Sequence, residues 1–153
     1  MPKDKICLVV GAGDDTGMAI ARAFAEENYH VVIVRRPVRA DKLEAAAAEL
    51  ERKGFKATAM PCDARDETAM GELIGNIETQ LGPIDVAVFN VGANVMFDVA
   101  ETTPRVYRKV WEMAAYAGFL MAHDALNAKA LRCARKAPHR SALRHHQRRT
   151  KAR

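Results

Sequence analysis

The sequence predicts an α/β fold of three layers: a parallel sheet of strand order 3-2-1-4 with helices on both faces, cut off before a fifth strand. Three observations lead there. Short apolar runs alternate with segments of helical periodicity, the pattern of strand–helix–strand units with right-handed crossovers. The runs HVVIV (30–34) and IDVAVFN (84–90) are nearly continuous in apolar residues, as in parallel strands covered on both faces. A glycine-bearing turn, GAGDDTG (11–17), joins the first run to the first helical pattern.

The elements follow in order. KICLVV (5–10) reads as the first strand, and residues 17–27 place Ile20, Phe24 and several alanines at helical spacing. HVVIV is the second strand, and ADKLEAAAAELERKG is an amphipathic helix stopped by Gly54. FKATAM (55–60) is a third strand, and residues 67–81 form a helix closed by Gly82 and Pro83. IDVAVFN is the fourth strand, of mid-sheet character. The next helix begins with Thr103 as N-cap and Pro104 in its first turn, and extends to about residue 122. A ligand of such a sheet binds at the carboxyl ends of the strands, beside the switch point between strands 1 and 4. The 11–17 turn and NVGAN (90–94) both fall there.

A chain of 153 residues fits one domain and can bury about 68–70% of its unfolded surface. The expected division is a nucleotide-binding domain over 1–123 and a basic tail over 124–153, helical or disordered. The net charge of +5 resides in that tail: residues 124–153 hold ten Lys or Arg against one Asp, and residues 1–123 hold fourteen against eighteen Asp or Glu. Cys7, Cys62 and Cys133 are scattered, odd in number and lack CxxC spacing, which argues against a disulfide framework and a zinc site. No apolar run approaches the eighteen or so residues of a membrane span, and the start carries no signal-peptide pattern. The expectation is a cytoplasmic protein with reduced thiols.

On these motifs, residues 5 to about 123 resemble the amino-terminal, Rossmann-like half of a short-chain dehydrogenase/reductase. That family's glycine pattern is G-x-x-x-G-x-G. Aligned through AIARAFA, Gly11 takes the first position, Asp15 the second and Gly17 the third, so the middle glycine is replaced. FNVG (89–92) resembles the family's N-N-A-G, with Asn90 and Gly92 matching, and CDARD (62–66) resembles its acidic turn, where Asp63 would lie near an adenine.

The resemblance implies a nicotinamide dinucleotide as ligand, held by Gly11, Gly13, Asp15, Thr16, Gly17, Asp63, Asn90 and Gly92. Gly11 and Gly17 allow a close backbone approach, and the first amides of the helix offer donors to phosphate. Two acids, Asp14 and Asp15, stand where the anion would sit, and capping of the helix is the expected role of at least one. The second strand ends VIVRRPVR, with Val34 where NAD-type sites carry an acid; Arg35 and Arg36 follow, and guanidinium forks suit a 2′-phosphate. The implied cofactor is therefore NADP, with NAD second.

The family's catalytic residues are not matched. Its proton-transferring Tyr is followed four positions later by Lys, whereas Tyr29, Tyr107 and Tyr116 are followed by Ile33, Trp111 and Leu120. Ser141 is the sole serine, and Ala115 stands where the family has an Asn. The expected catalytic set is empty, giving a truncated oxidoreductase that binds NADP. Tyr116 and His123, seven apart, lie near one helical face and could in principle move protons, but a helix-end His is more often a cap. Tyr107, Trp111 and Met113 read as packing residues of a helix that, by the resemblance, lies against the sheet and contributes to a dimer interface. The strand 4 edge or the helix at 104–122 would serve self-association, because an apolar edge without a neighbour aggregates or dimerises. The tail DALNAKALRCARKAPHRSALRHHQRRTKAR supports two readings: a polyanion-binding arm, which would make the protein a non-catalytic binding module, or the product of a shifted reading frame. The second is favoured, because the resemblance stops abruptly and basic runs without aromatic residues are weak nucleic-acid signals.

Overall fold

In the computed structural model, residues 4–92 and 96–136 are described, with side chains to residue 133. Four parallel strands form one sheet in the order β3-β2-β1-β4. They are β1 (Lys5–Val10), β2 (Tyr29–Val34), β3 (Ala57–Ala59) and β4 (Ile84–Phe89). The helices are α1 (Thr16–Glu26), α2 (Ala40–Arg52), α3 (Glu67–Gln80), α4 (Pro104–Trp111) and α5 (Ala117–Lys136).

The period-2 alternation of the central strands divides the core into two layers. Ile6, Leu8, Val10, Val32 and Val34 point to one face, where Met70, Leu73, Ile74 and Ile77 of α3 and Ala117, Leu120 and Met121 of α5 cover them. Cys7, Val9, Val31 and Ile33 point to the other, under Met18, Ala21 and Ala25 of α1 and Leu43, Ala47 and Leu50 of α2. All nine of these strand residues are at most 1% exposed, so a polar substitution at any of them meets the full cost of burial.

Local chemistry sets the helix ends. The Thr103 hydroxyl accepts the Val106 amide at 3.3 Å, with Pro104 opening α4 as expected. Asp66 caps α3 by accepting from the Ala69 amide at 3.0 Å, a cap the sequence reading did not single out. Gly54 and Gly82 sit at φ +86° and +140° just beyond α2 and α3, conformations that stop a helix at little cost for glycine alone.

Three expectations need correction. β4 lies at the sheet edge, as the order 3-2-1-4 implies, but it is not covered on both faces as its apolar run suggested: none of its residues is fully buried, and Asp85 and Ala87 are exposed. Its pairing with β1 shifts after Ile6↔Ile84 to Cys7↔Val86, and Asp85, the extra residue, accepts the Ile6 amide at 2.8 Å. The helix expected to stop near 122 continues to Lys136, interrupted by one π turn at Glu112–Tyr116. Its later turns are held to α3, where Arg132 pairs with Glu78 and the Asp124 carboxylate lies against Gly71. Tyr107 and Trp111 are 67% and 49% exposed, and so do not pack into this core. Ser141 and the rest of the basic tail from 137 onward lie outside the described residues.

Candidate functional site

The carboxyl ends of β1, β2 and β4 open into a cavity of about 340 Å³. Gly11, Gly13, Arg35, Arg36, Asp63, Asn90 and Gly92 line it, seven of the ten residues chosen from sequence. Asp15, Thr16 and Gly17 are not among the lining residues; Asp15 and Thr16 are exposed and Gly17 is buried.

The wall is built by close backbone contact. Gly11 has φ +91°, and a Cβ there would stand 2.7 Å from the Asn90 carbonyl carbon and oxygen. A Cβ at Gly17 would lie 2.3 Å from the Gly11 oxygen, so that glycine lets α1 pack directly on the turn. Gly13 differs, because a Cβ there meets nothing within 4 Å and Gly13 faces the cavity. The Gly11 and Ala12 amides both donate to the Val34 carbonyl, at 2.9 and 3.0 Å, which staples the turn to the end of β2. The Asn90 amide donates to Val10 at 2.8 Å and its side-chain nitrogen to the Gly11 carbonyl at 3.1 Å, which staples the same turn to the end of β4.

The two aspartates do not behave as the capping expectation had it. Asp15 occupies the N-cap position of α1, but its side chain makes no capping hydrogen bond. Its φ of −94° lies outside the left-handed region that favours glycine. The Met18 and Ala19 amides donate to the carbonyls of Gly13 and Asp15. Those of Thr16 and Gly17 precede the first intrahelical bond and point out of the helix start. Asp14 reaches across the turn, where its carboxylate accepts from the Arg35 guanidinium at 2.8 Å.

Opposite the turn the cavity is cationic. Arg39 and Arg65 join Arg35 and Arg36 on its wall. Arg65 grips Asp63 through two side-chain contacts, 3.0 and 2.6 Å, and its own amide donates to the same carboxylate at 3.1 Å. The Arg65 side chain holds the Asp63 carboxyl below the usual carboxylate range. Among the described residues Arg36 and Arg39 have no carboxylate within ion-pair distance. Cys62 also lines the cavity, but burial pushes its thiol up to about 11, and the carboxylates of Asp63 and Asp66 add to that, so it is no nucleophile at neutral pH.

Arg39, Arg65 and Met113 were missed as lining residues. Arg39 lies three residues past Arg36 in RRPVR, where Pro37 opens a 3₁₀ turn that folds Arg39 back toward the strand ends. Arg65 sits two residues beyond Asp63 in a turn closed by the Asp66 amide on the Asp63 carbonyl at 2.9 Å. Met113 had no sequence signal, because the π turn places it.

The donor set fits a dinucleotide: a glycine turn at the switch point and, just past the end of strand 2, two arginines without carboxylate partners among the described residues. Comparison with known proteins agrees. A family model for short chain dehydrogenases matches residues 5–135. The chain belongs to the short-chain dehydrogenase family.

The chain is 37% identical over 84 residues to the 2,3-dihydro-2,3-dihydroxybenzoate dehydrogenase of Bacillus subtilis strain 168, a match covering 55% of this chain and 31% of that protein. Among solved structures, a short-chain dehydrogenase from Rhodopseudomonas palustris superposes with a TM-score of 0.78 at 39% identity, over 86% of this chain and 60% of the other. An actinorhodin polyketide ketoreductase solved with NADPH gives 0.78 at 26% identity, over 86% and 49%. The chain thus spans about a third of the first of these curated relatives and half to three-fifths of the structural neighbours.

No residue pair in the described part assembles an alternative proton relay from Tyr116 and His123. The Tyr116 ring stacks on Trp111 at 5.7 Å and its hydroxyl reaches Glu67 at 3.5 Å. His123 meets Asp124 at 2.8 Å and lies against Phe119. Among the described residues no group of three or more His, Cys, Asp or Glu is placed to hold a metal ion, and no helix is long and apolar enough to cross a membrane.

Proposed function

We propose that residues 1–123 form the dinucleotide-binding segment of an NADP-type short-chain oxidoreductase, and that the protein works in the cytoplasm. The observation that carries the reading is the cavity at the switch point. It joins the Gly11–Gly13 turn on one side to Arg36 and Arg39, without carboxylate partners among the described residues, on the other. The turn and the first amides of α1 would hold the pyrophosphate, and the guanidinium forks would take a 2′-phosphate. Asp63 and Met113 would bound the adenine end. Asn90 positions the turn through its bond to Gly11 rather than by reaching into the cavity with its amide nitrogen. A nicotinamide bound here supplies hydride exchange at a carbonyl or alcohol.

Residues 1–153 contain no Tyr-x-x-x-Lys, so the family's proton-transfer step does not come from this segment. The NADPH complex of a structural neighbour supports the choice of nucleotide class. The exposed apolar residues Tyr107, Trp111 and Phe119 support a role for the helix after β4 in self-association.

Titration of NADPH and NADH fluorescence tests the reading. NADPH is expected to bind more tightly than NADH, and Arg36→Met to weaken NADPH by about tenfold or more, the scale of a lost charge-assisted contact, while NADH changes by less than about twofold. Equal affinity of the folded protein for both nucleotides, unaffected by the Arg36 change, would remove the assignment.

A further inference from the structure

Asp14 and Arg35 are twenty-one residues apart in sequence, yet their side chains meet at 2.8 Å on the rim of the cavity. The meeting is built into the fold. Gly11 and Ala12 donate to the carbonyl of Val34, so the residues that follow on each side emerge next to one another. Arg35 is anchored further by its own carbonyl, which accepts the Cys62 amide at 2.8 Å. Its side chain is only 19% exposed, whereas that of Asp14 is 69% exposed. One terminal nitrogen of the half-buried guanidinium is therefore committed to a carboxylate that stands in open solvent.

Resting on the NADP-type reading above, we infer that Asp14 sets the nucleotide selectivity of the site, by holding Arg35 as an internal counter-ion against a 2′-phosphate. The charges decide the direction. A 2′-phosphate entering beside Arg35 must displace or share the Asp14 contact and bear the repulsion of that carboxylate. A ribose 2′-hydroxyl meets no such repulsion, and it donates to the carboxylate as it does to the acid at the strand 2 end of NAD-type sites. Asp14 thus lowers the preference for NADPH that Arg35, Arg36 and Arg39 would otherwise give, and leaves the site open to both nucleotides. Because the carboxylate is exposed, the contact is easily exchanged and screened by salt.

The test is a nucleotide-fluorescence titration of the full chain and of Asp14→Asn, which keeps size and removes charge, each also in an Arg35→Met background. Thermal melting of every variant establishes that it is folded. The Kd for NADPH is expected to fall about fivefold in Asp14→Asn, the scale of one exposed charge contact, and the Kd for NADH not to fall. The NADPH gain shrinks toward onefold at about 0.5 M salt, where the screening length is only a few ångströms. It also shrinks in the Arg35→Met background, because Asp14 acts through that guanidinium. An unchanged NADPH Kd, an equal tightening of both nucleotides, or the same gain with and without Arg35 overturns the inference and leaves NADPH binding standing. Folded protein that binds neither nucleotide in any background overturns the proposed function itself.

Discussion

Gly11 carries the sharpest consequence of the way the turn is built. Replacing it with Ala puts a Cβ on a residue at φ +91°, where an L-residue costs roughly 1–2 kcal/mol. The same Cβ would stand 2.7 Å from the Asn90 carbonyl group and 2.9 Å from the Val91 nitrogen. Those atoms are backbone and cannot rotate away. They are fixed to β1 by the Asn90 amide bond to Val10 at 2.8 Å, so relief requires the end of β4 to move; such overpacking costs about 1–3 kcal/mol. The sum, about 2–5 kcal/mol, is a large part of the roughly 5–15 kcal/mol that a domain has in total. For a chain of this size it corresponds to a Tm lower by about 5–15 °C. Urea unfolding followed by circular dichroism reads the loss as a lower midpoint at unchanged slope. Gly75→Ala is the matched control: Gly75 is exposed within α3 and its added Cβ meets nothing within 4 Å, so it should gain about 0.5–1 kcal/mol. A Gly11→Ala protein within about 0.5 kcal/mol of wild type would refute the packing argument, because a surface change is of that size.

Gly13→Ala should separate binding from stability, since its Cβ enters the open cavity. Tm is expected to stay within about 2 °C while NADPH affinity falls several-fold, and a Tm loss like that of Gly11→Ala would count against the assignment. Stability should also fall as pH drops from 7 toward 5 because of His30. Burial holds its pKa below the usual imidazole value and its ring faces the Thr58 hydroxyl at 2.8 Å. The unfolded chain therefore binds the proton first, so stability present above pH 6.5 is lost as pH falls through the unfolded and then the folded pKa. Urea midpoints at pH 7 and 5 should differ less in His30→Gln than in wild type, and equal differences would exclude His30 as the source. Thiol labelling at pH 8 should modify Cys133 rapidly and Cys7 and Cys62 only on unfolding, since Cys133 is exposed and burial pushes both other thiols up to about 11. Fast labelling of Cys62 in the folded protein would show that the cavity floor is wetter than its burial implies.

The sequence by itself determined the sheet order, the strands β1, β2 and β4 to within a residue, and the turn with the arginines that face it. These are written locally: apolar runs must be buried, glycines mark the turn, and parallel connections have one hand. It also determined that Thr103 opens α4 and that residues 1–153 hold no Tyr-x-x-x-Lys. Tertiary structure alone decided what depends on separated segments meeting. The run 84–90 reads as a strand covered on both faces, yet no residue of β4 is fully buried, because composition reports apolar character and not how much of each face a neighbour covers. Asp14 looked like a cap because aspartate before a helix usually is one; it pairs with Arg35 because the turn is stapled to the end of β2. Arg65 and Met113 reach the cavity through a turn and a π segment whose hydrogen bonds leave no mark in residue periodicity. Residue type fixed which groups are available for binding, and packing between distant strands fixed which of them are already engaged with one another.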